Sequence, residues 1–539
     1  MRIVTLHNVV EYTAIIHCIV YPVAAQRFHR SVRVTPLARG TALCRNPKAL
    51  GDLHLPAPSA TMRPMQRRVQ EVSALSGGDL ISLFTRTMLG YLLLMGGLWL
   101  VGLEGIYGHP TPFYALFSPA LTSLADLRWQ IPALLMAGTG LIILHRVILP
   151  LLLASEERSR KEALRILTGI FVFAVLFAAA IAMIRDGLWG IEQAYNRQSY
   201  EYIGDIGKTR NIHQLFERYT DDNLFPYLSM HAKVHPPGPI ALLWFLSYFV
   251  GNSPFSLSVA TIVVSSLAIF PLYGWARMLT NQKTAFIACI CYSLVPSIVL
   301  FTATSADALF TPFTLTTLYC FERAIRQSST RFGLLAGAGY GVMTLLKFSL
   351  IGMGAYFGLV GLWMLRHPET RRNVFQTAVL MVLGLLSVIG AVYWWSGFNV
   401  YETFLMAKQQ FDQDQAHLDI LSPRLPAWTY RLLNPLCWFF FAGIPVSVLA
   451  IREFFYGDRT RRPTWWIFAL MLFVLNLLYL ARGEGERSAL YLFPFLVIPA
   501  AHYLGQGLAQ HRHTGPLLVT VSFLIFQCWF IESFFYTYW

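Results

Sequence analysis

The chain has 539 residues, of which 55% are hydrophobic and 13% charged, with a mean hydropathy of +0.50. A soluble chain carries about 25% charged residues, so this one cannot cover a globular surface with them, and its apolar content excludes intrinsic disorder. The net charge of +14 fits a positive-inside bias and attraction to anionic headgroups in a polytopic membrane protein, with no nucleic acid partner implied.

In chain order, residues 1–61 differ from the rest. They carry Arg2, Arg27, Arg30, Arg33, Arg39, Arg45 and Lys48, and their apolar patch from Val9 to Ala25 is interrupted by Glu11 and His17. That interruption makes a poor signal peptide. Met62 and Met65 precede Arg67, Arg68 and the first good span, so the expected native start is Met62 or Met65, with 1–61 a disordered or non-native extension. Thirteen helical spans are predicted beyond it, at 87–103, 131–153, 166–184, 256–274, 284–301, 306–321, 333–346, 348–365, 376–395, 436–451, 465–481, 489–505 and 516–534. The expected class is an all-α polytopic membrane protein. Residues 62–165 supply two additional spans, 166–505 a core, and 506–539 a C-terminal span.

The apolar run 240–251 follows Pro236-Pro237-Gly238-Pro239 and is too short to cross, so it reads as a helix on the membrane surface. Charge supports that choice. With 62–86 inside, the cytoplasmic segments hold 21 Lys/Arg and the outer segments 13, six of them in one long loop. If 240–251 crossed, Arg323, Arg366, Arg452 and their basic neighbours would all move outside. The external loops 185–255 and 396–435 are long, which points the chemistry outward. No P-loop or Gly-rich nucleotide fingerprint occurs; Gly333, Gly337, Gly339 and Gly341 read as small-residue helix packing. The seven cysteines have no disulfide or zinc spacing.

Several residues could carry chemistry. Glu201 and Asp205 are four apart and on a helix would share a face, as a general base with a partner or as a solvated face. Gly204 and Gly207 weaken that helix. His231 and His235 are also four apart, as interfacial histidines or as metal candidates with an acid, and Pro236 disfavours helix at His235. Asp307, in T-S-A-D-A-L-F, starts a span either as a cap with Ser305 or as an active-site acid. Lys347 lies between two apolar runs, snorkelling or binding phosphate. Arg482, Glu484, Glu486 and Arg487 sit between two outer span ends, as an ion pair or as an anion clamp. In the loop 396–435, Asp412, Asp414, Asp419, Trp428 and Tyr430 either help to close over a substrate or form a plain amphipathic surface.

From Ile166 to about Leu504 these features resemble, in order and sidedness, the GT-C superfamily of polyprenyl-phosphate-dependent glycosyltransferases. The protein O-mannosyltransferases and the aminoarabinose transferase of lipid A are its best-known branches. The resemblance rests on a span followed by an acidic external loop closing in His235-Pro236-Pro237, a span ending in Arg277, the S-A-D element with Asp307, T-L-L-K-F-S with Lys347, and E-x-x-R with Glu484 and Arg487 before Pro494. It implies inverting transfer of a sugar from a polyprenyl-phosphate donor to a lipid, glycan or protein acceptor on the extracytoplasmic side of the cytoplasmic membrane. Asp205 or Glu201 would be the general base, and Lys347 and Arg487 the donor-phosphate ligands. Asp307, His235 and Glu484 would serve the acceptor or a metal, since some branches use a divalent cation. Two other classes stay open on the residues alone: a secondary transporter, and a non-catalytic lipid-binding subunit of the same fold.

Overall fold

A computed structural model describes residues 75–100, 127–154, 157–193, 195–196, 200–421, 428–457, 461–478, 485–511, 513–535 and 537. The chain divides into units 1–68 and 69–539, and every described residue belongs to the second. The expectations for residues 1–61 and for Glu484 lie outside the described residues.

Helices make up most of the described part of this unit. The outer spans are α1 (Gly77–Leu100), α2 (Leu127–Ile143, continued through a π turn to Leu153) and α3 (Arg160–Asp186). The start of α3 is set by a capping box. Ser159 Oγ accepts from Glu162 N–H, and the Glu162 carboxylate accepts from Ser159 N–H at 3.0 Å. Gly187, at φ +63°, ends it. After two short helices, Leu188–Glu192 and Ile212–Glu217, come α4 (Met230–Lys233), α5 (Gly238–Val250), α6 (Pro254–Ser266), α7 (Ile269–Leu279), α8 (Gln282–Tyr292), α9 (Pro296–Thr304), α10 (Thr311–Gln327) and α11 (Thr330–Leu346). The remainder are α12 (Gly354–Met364), α13 (Arg371–Ser396), α14 (Val400–Leu421), α15 (Tyr430–Phe441), α16 (Ile444–Tyr456), α17 (Arg462–Leu478), α18 (Gly485–Ser488), α19 (Pro494–His511) and α20 (Gly515–Phe534).

Among the described residues, seven helices are long and apolar enough to cross a membrane, or nine if two bent pairs each count as one span. The protein is thus multi-pass. The other four expected spans, 306–321, 333–346, 348–365 and 465–481, fall on helices of 17 residues or fewer. Seventeen residues rise about 25 Å against a hydrocarbon core of about 30 Å. The expected straight span 436–451 is instead α15 and α16 meeting at 113°, with Gly443 at φ +95° and Pro445 starting the second helix. The pair α8 and α9 bends by 53° before Pro296.

The helix α5 buries Ile240, Leu243 and Trp244 and exposes Phe245, Tyr248 and Phe249. At 13 residues it rises about 20 Å, short of a crossing. Exposed Phe375, Val379, Val382 and Leu386 make α13 a lipid-facing helix. The core is aromatic. Trp275 lies 5.8 Å from Tyr356 and 5.4 Å from Phe495, and Phe495 lies 4.9 Å from Phe468, which ties α7, α12, α17 and α19 together. The stretch 396–435 is not all irregular: 22 of its residues form α14, whose first N–H groups are capped by Asn399.

Candidate functional site

The long loop after α3 is held by buried polar anchors. Glu201 is extended and precedes a 3-10 turn, Tyr202–Asp205, so Glu201 and Asp205 do not share an α-helical face. The two carboxylates part company there. Asp205 is fully buried and accepts from Ser229 N–H at 2.9 Å, Ser229 Oγ–H at 2.6 Å and Lys208 Nζ at 2.8 Å. It does not line the cavity described below; it ties the turn to α4, which Ser229 caps. Buried Tyr219 donates from its hydroxyl to the carbonyls of Ala232 at 2.7 Å and His235 at 3.0 Å, which pins the His-Pro-Pro turn.

Glu201 instead faces a cavity of about 590 Å³. Its Oε1 lies 3.2 Å from His231 Nδ1 and 3.7 Å from Arg487 Nη1. Arg487 comes from α18, beside which the thiol of Cys437 donates to the Glu486 carboxylate at 3.2 Å and Ser297 Oγ donates to the Glu486 carbonyl. Ser305 caps the turn Ala306–Phe310 by accepting from Asp307 N–H at 3.2 Å. The Asp307 side chain is therefore spare for the cavity, where Oδ1 takes Lys347 Nζ at 2.8 Å and Oδ2 lies 3.9 Å from Arg487 Nε. Lys347 does not snorkel. It is the extended residue between α11 and a 3-10 turn, Phe348–Met353, and it is 4% exposed.

His235 completes this polar end. Burial and then the Lys347 cation push its pKa down to about 3, so the ring is neutral. Its Nδ1 is occluded without a hydrogen-bond partner among the described residues. The lining also includes an apolar wall, with Ile351, Ala355, Phe404, Phe411, Leu475 and Leu478 among its residues.

Sequence reasoning named Glu201, His231, His235, Asp307, Lys347 and Arg487 separately, and the fold brings these six to one cavity. It missed the apolar wall and Lys408, which lines the same space from α14. The signal was present: Phe404, Ala407, Lys408 and Phe411 fall at i, i+3, i+4 and i+7. Among the described residues, the donor set does not fit a divalent ion. Lys347 and Arg487 already lie against both carboxylates, and among the described residues no three His, Cys, Asp or Glu side chains group to hold a metal.

Residues 234–395 match the family model described as dolichyl-phosphate-mannose-protein mannosyltransferase, just under a third of the chain. No curated protein matches the chain by sequence. Among solved structures, an oligosaccharyltransferase of Archaeoglobus fulgidus tethered with an acceptor peptide aligns at 13% identity and a TM-score of 0.42, covering 67% of this chain and 55% of that one. ArnT from Cupriavidus metallidurans aligns in its apo state at 15% identity and 0.42, and bound to undecaprenyl phosphate at 16% and 0.39. Both ArnT alignments cover 62% of this chain and 60% of ArnT, so the chain spans a little over half the length of these proteins. In this multi-pass helical membrane protein, the segment that matches the mannosyltransferase family model thus includes His235, Asp307 and Lys347.

Proposed function

We propose that this protein is an integral-membrane glycosyltransferase that takes its sugar from a polyprenyl-phosphate donor on the extracytoplasmic side. One observation carries the reading: a single cavity joins two buried cations, Lys347 and Arg487, to an apolar wall. A lipid phosphate has that polarity, with an anionic head for the cations and a hydrocarbon chain for the wall.

In the reaction, an acceptor hydroxyl attacks the anomeric carbon as the bond from that carbon to the phosphate oxygen breaks. The hydroxyl proton goes to Glu201, and the bonding pair leaves with the phosphate, where Lys347 and Arg487 stabilise the charge. One displacement inverts the anomeric centre, and no covalent nucleophile is needed. Glu201 suits the base better than its two acidic neighbours. Asp205 is buried away from the cavity and already accepts three hydrogen bonds, and Asp307 is committed to holding the two cations.

Lipid-linked sugar profiling of a deletion strain tests the reading. A polyprenyl-phosphate sugar is expected to accumulate, to be cleared by the wild-type gene, and to persist with Lys347→Met or Glu201→Gln. Unchanged lipid-linked sugar pools, or uptake of a solute by proteoliposomes lacking lipid donor, would overturn it.

A further inference from the structure

At the end of the bundle away from the cavity stands an arginine with little to hold. Arg158 lies just before α3, whose 27 residues rise about 40 Å toward the loop that carries Glu201. Gln282 opens α8, which with α9 leads to the turn of Asp307. Arg158, Gln282 and Lys283 are therefore about a membrane thickness from the reacting groups. They line a shallow slot whose wall includes Leu151, Ile166 and Phe286.

The backbone of this slot is fixed and its charge is unspent. Buried Gln282 clasps the Arg158 backbone, accepting from Arg158 N–H at 2.6 Å and donating to Arg158 O at 3.1 Å. The clasp ties the start of α3 to the start of α8. Of the five guanidinium N–H groups, one on Nη2 reaches an acceptor, the Leu151 carbonyl at 3.3 Å, and Nε–H is shut from water with no partner among the described residues. A buried donor left so is costly unless something answers it. The Lys283 side chain holds no hydrogen bond or ion pair among the described residues. The nearby described acids are already engaged: Glu157 takes Arg277 at 3.1 Å, and Glu162 caps α3 with Ser159. Two cations thus line the slot without a carboxylate.

We propose that this slot binds the headgroup phosphate of an anionic phospholipid in the leaflet at this end of the bundle. Its interior holds about 10 Å³, room for one phosphate oxygen and not for a whole headgroup. The phosphate therefore rests in the mouth, between the Arg158 fork and the Lys283 ammonium. A lipid suits the place better than a free anion. The wall is apolar, and Ile143 and Val147, earlier on the same α2, stay exposed as lipid-facing side chains do. A lipid held there staples α2, α3 and α8. It needs neither Glu201 nor Lys347, so it stands apart from the donor reading.

The test is native mass spectrometry of the full-length protein in detergent, titrated with phosphatidylglycerol or with phosphatidylcholine of the same acyl chains. One phosphatidylglycerol should bind about tenfold more tightly than phosphatidylcholine. Lys283→Met should weaken it about fivefold, the share of one cation near a headgroup, and adding Arg158→Met should abolish the preference. Lys283→Arg should keep it. Arg371→Met, which removes a cation at the start of α13, should keep it too. The Lys283 side chain carries no bond that the fold needs, so Lys283→Met decides the matter even if Arg158→Met fails to fold. Equal binding of the two lipids by the wild type overturns the site. So does an unweakened preference in Lys283→Met, or an equal loss in Arg371→Met, which would mean a diffuse field of charge. Release of the phosphatidylglycerol by inorganic phosphate at the same concentration overturns the lipid as occupant.

Discussion

Replacing Asp205 with Ala separates an anchor from a base. The substitution removes the acceptor of three hydrogen bonds. Their costs differ. Lys208 is about one-third exposed on its side chain and keeps the Tyr227 carbonyl at 2.6 Å, so its loss is worth at most about 1 kcal/mol after solvent screening. The Ser229 N–H and hydroxyl are buried. An unsatisfied buried donor costs about 1–3 kcal/mol, and the hydroxyl can turn toward other acceptors, so the whole change should destabilise by about 2–4 kcal/mol. Thermal melting in detergent, followed by a cysteine-reactive dye on the buried thiols, reads this as a lower melting temperature. Turnover per folded molecule should fall no more than about tenfold. A base, by contrast, supplies about 10²- to 10⁴-fold. A hundredfold loss of turnover with an unchanged melting temperature would refute the anchor and return Asp205 to the chemistry.

Three further outcomes are expected. Lys347→Met leaves Asp307 buried beside Arg487 alone, so it should destabilise by about 3 kcal/mol, and adding Asp307→Asn should recover most of the melting temperature without recovering turnover. His235 is depressed to about 3, below its unfolded value of about 6.5, so the unfolded chain binds a proton that the folded chain refuses; the stability it contributes is present above pH 6.5 and is lost as pH falls toward 3. His235→Asn should flatten that acid limb of the melting curve, although His231, Asp307, Lys347 and Arg487 face the same ring, and an unaltered limb would count against burial as the cause. Gly238→Ala would place a Cβ 2.1 Å from the Leu345 carbonyl oxygen, which is backbone and cannot yield; it should push α5 off the strand of chain that presents Lys347 and cost most of the turnover, measured against an unchanged Gly390→Ala control in open space.

What the sequence disclosed was what depends on composition and period. Apolar runs gave the helices, and 240–251 showed its inability to cross by length alone. The bend between α15 and α16 escaped because Gly443 and Pro445 interrupt a run whose hydropathy is continuous, and mean hydropathy carries no direction. The long helix α14 escaped for the opposite reason. Its charges at Lys408, Asp412 and Asp414 read as loop, yet Lys408 pairs with Asp412 and Gln410 donates to Asp414, each at i,i+4, along a helix whose apolar stripe faces the cavity.

The site divides along the same line. Residue types pointed to six cavity side chains, because a carboxylate or a cation next to an apolar run has few cheap places to be. Partnership did not show. Glu201 and Asp205 were equivalent on spacing, and only the 3-10 turn between them sends one to the cavity and the other to Ser229. Asp307 and Lys347 are 40 positions apart and Glu201 and Arg487 are 286 apart, so no local rule couples them. Each also sits where regular helix stops: Lys347 between α11 and a 3-10 turn, Asp307 in the turn between α9 and α10, Arg487 in the four-residue α18. A helix end leaves backbone groups unsatisfied, and in an apolar surround those ends collect the polar side chains that answer them. The breaks in the helices and the charged cluster are therefore one feature, and a search for paired helix breaks on one side of a bundle would have found the cavity where a search for motifs found only its members.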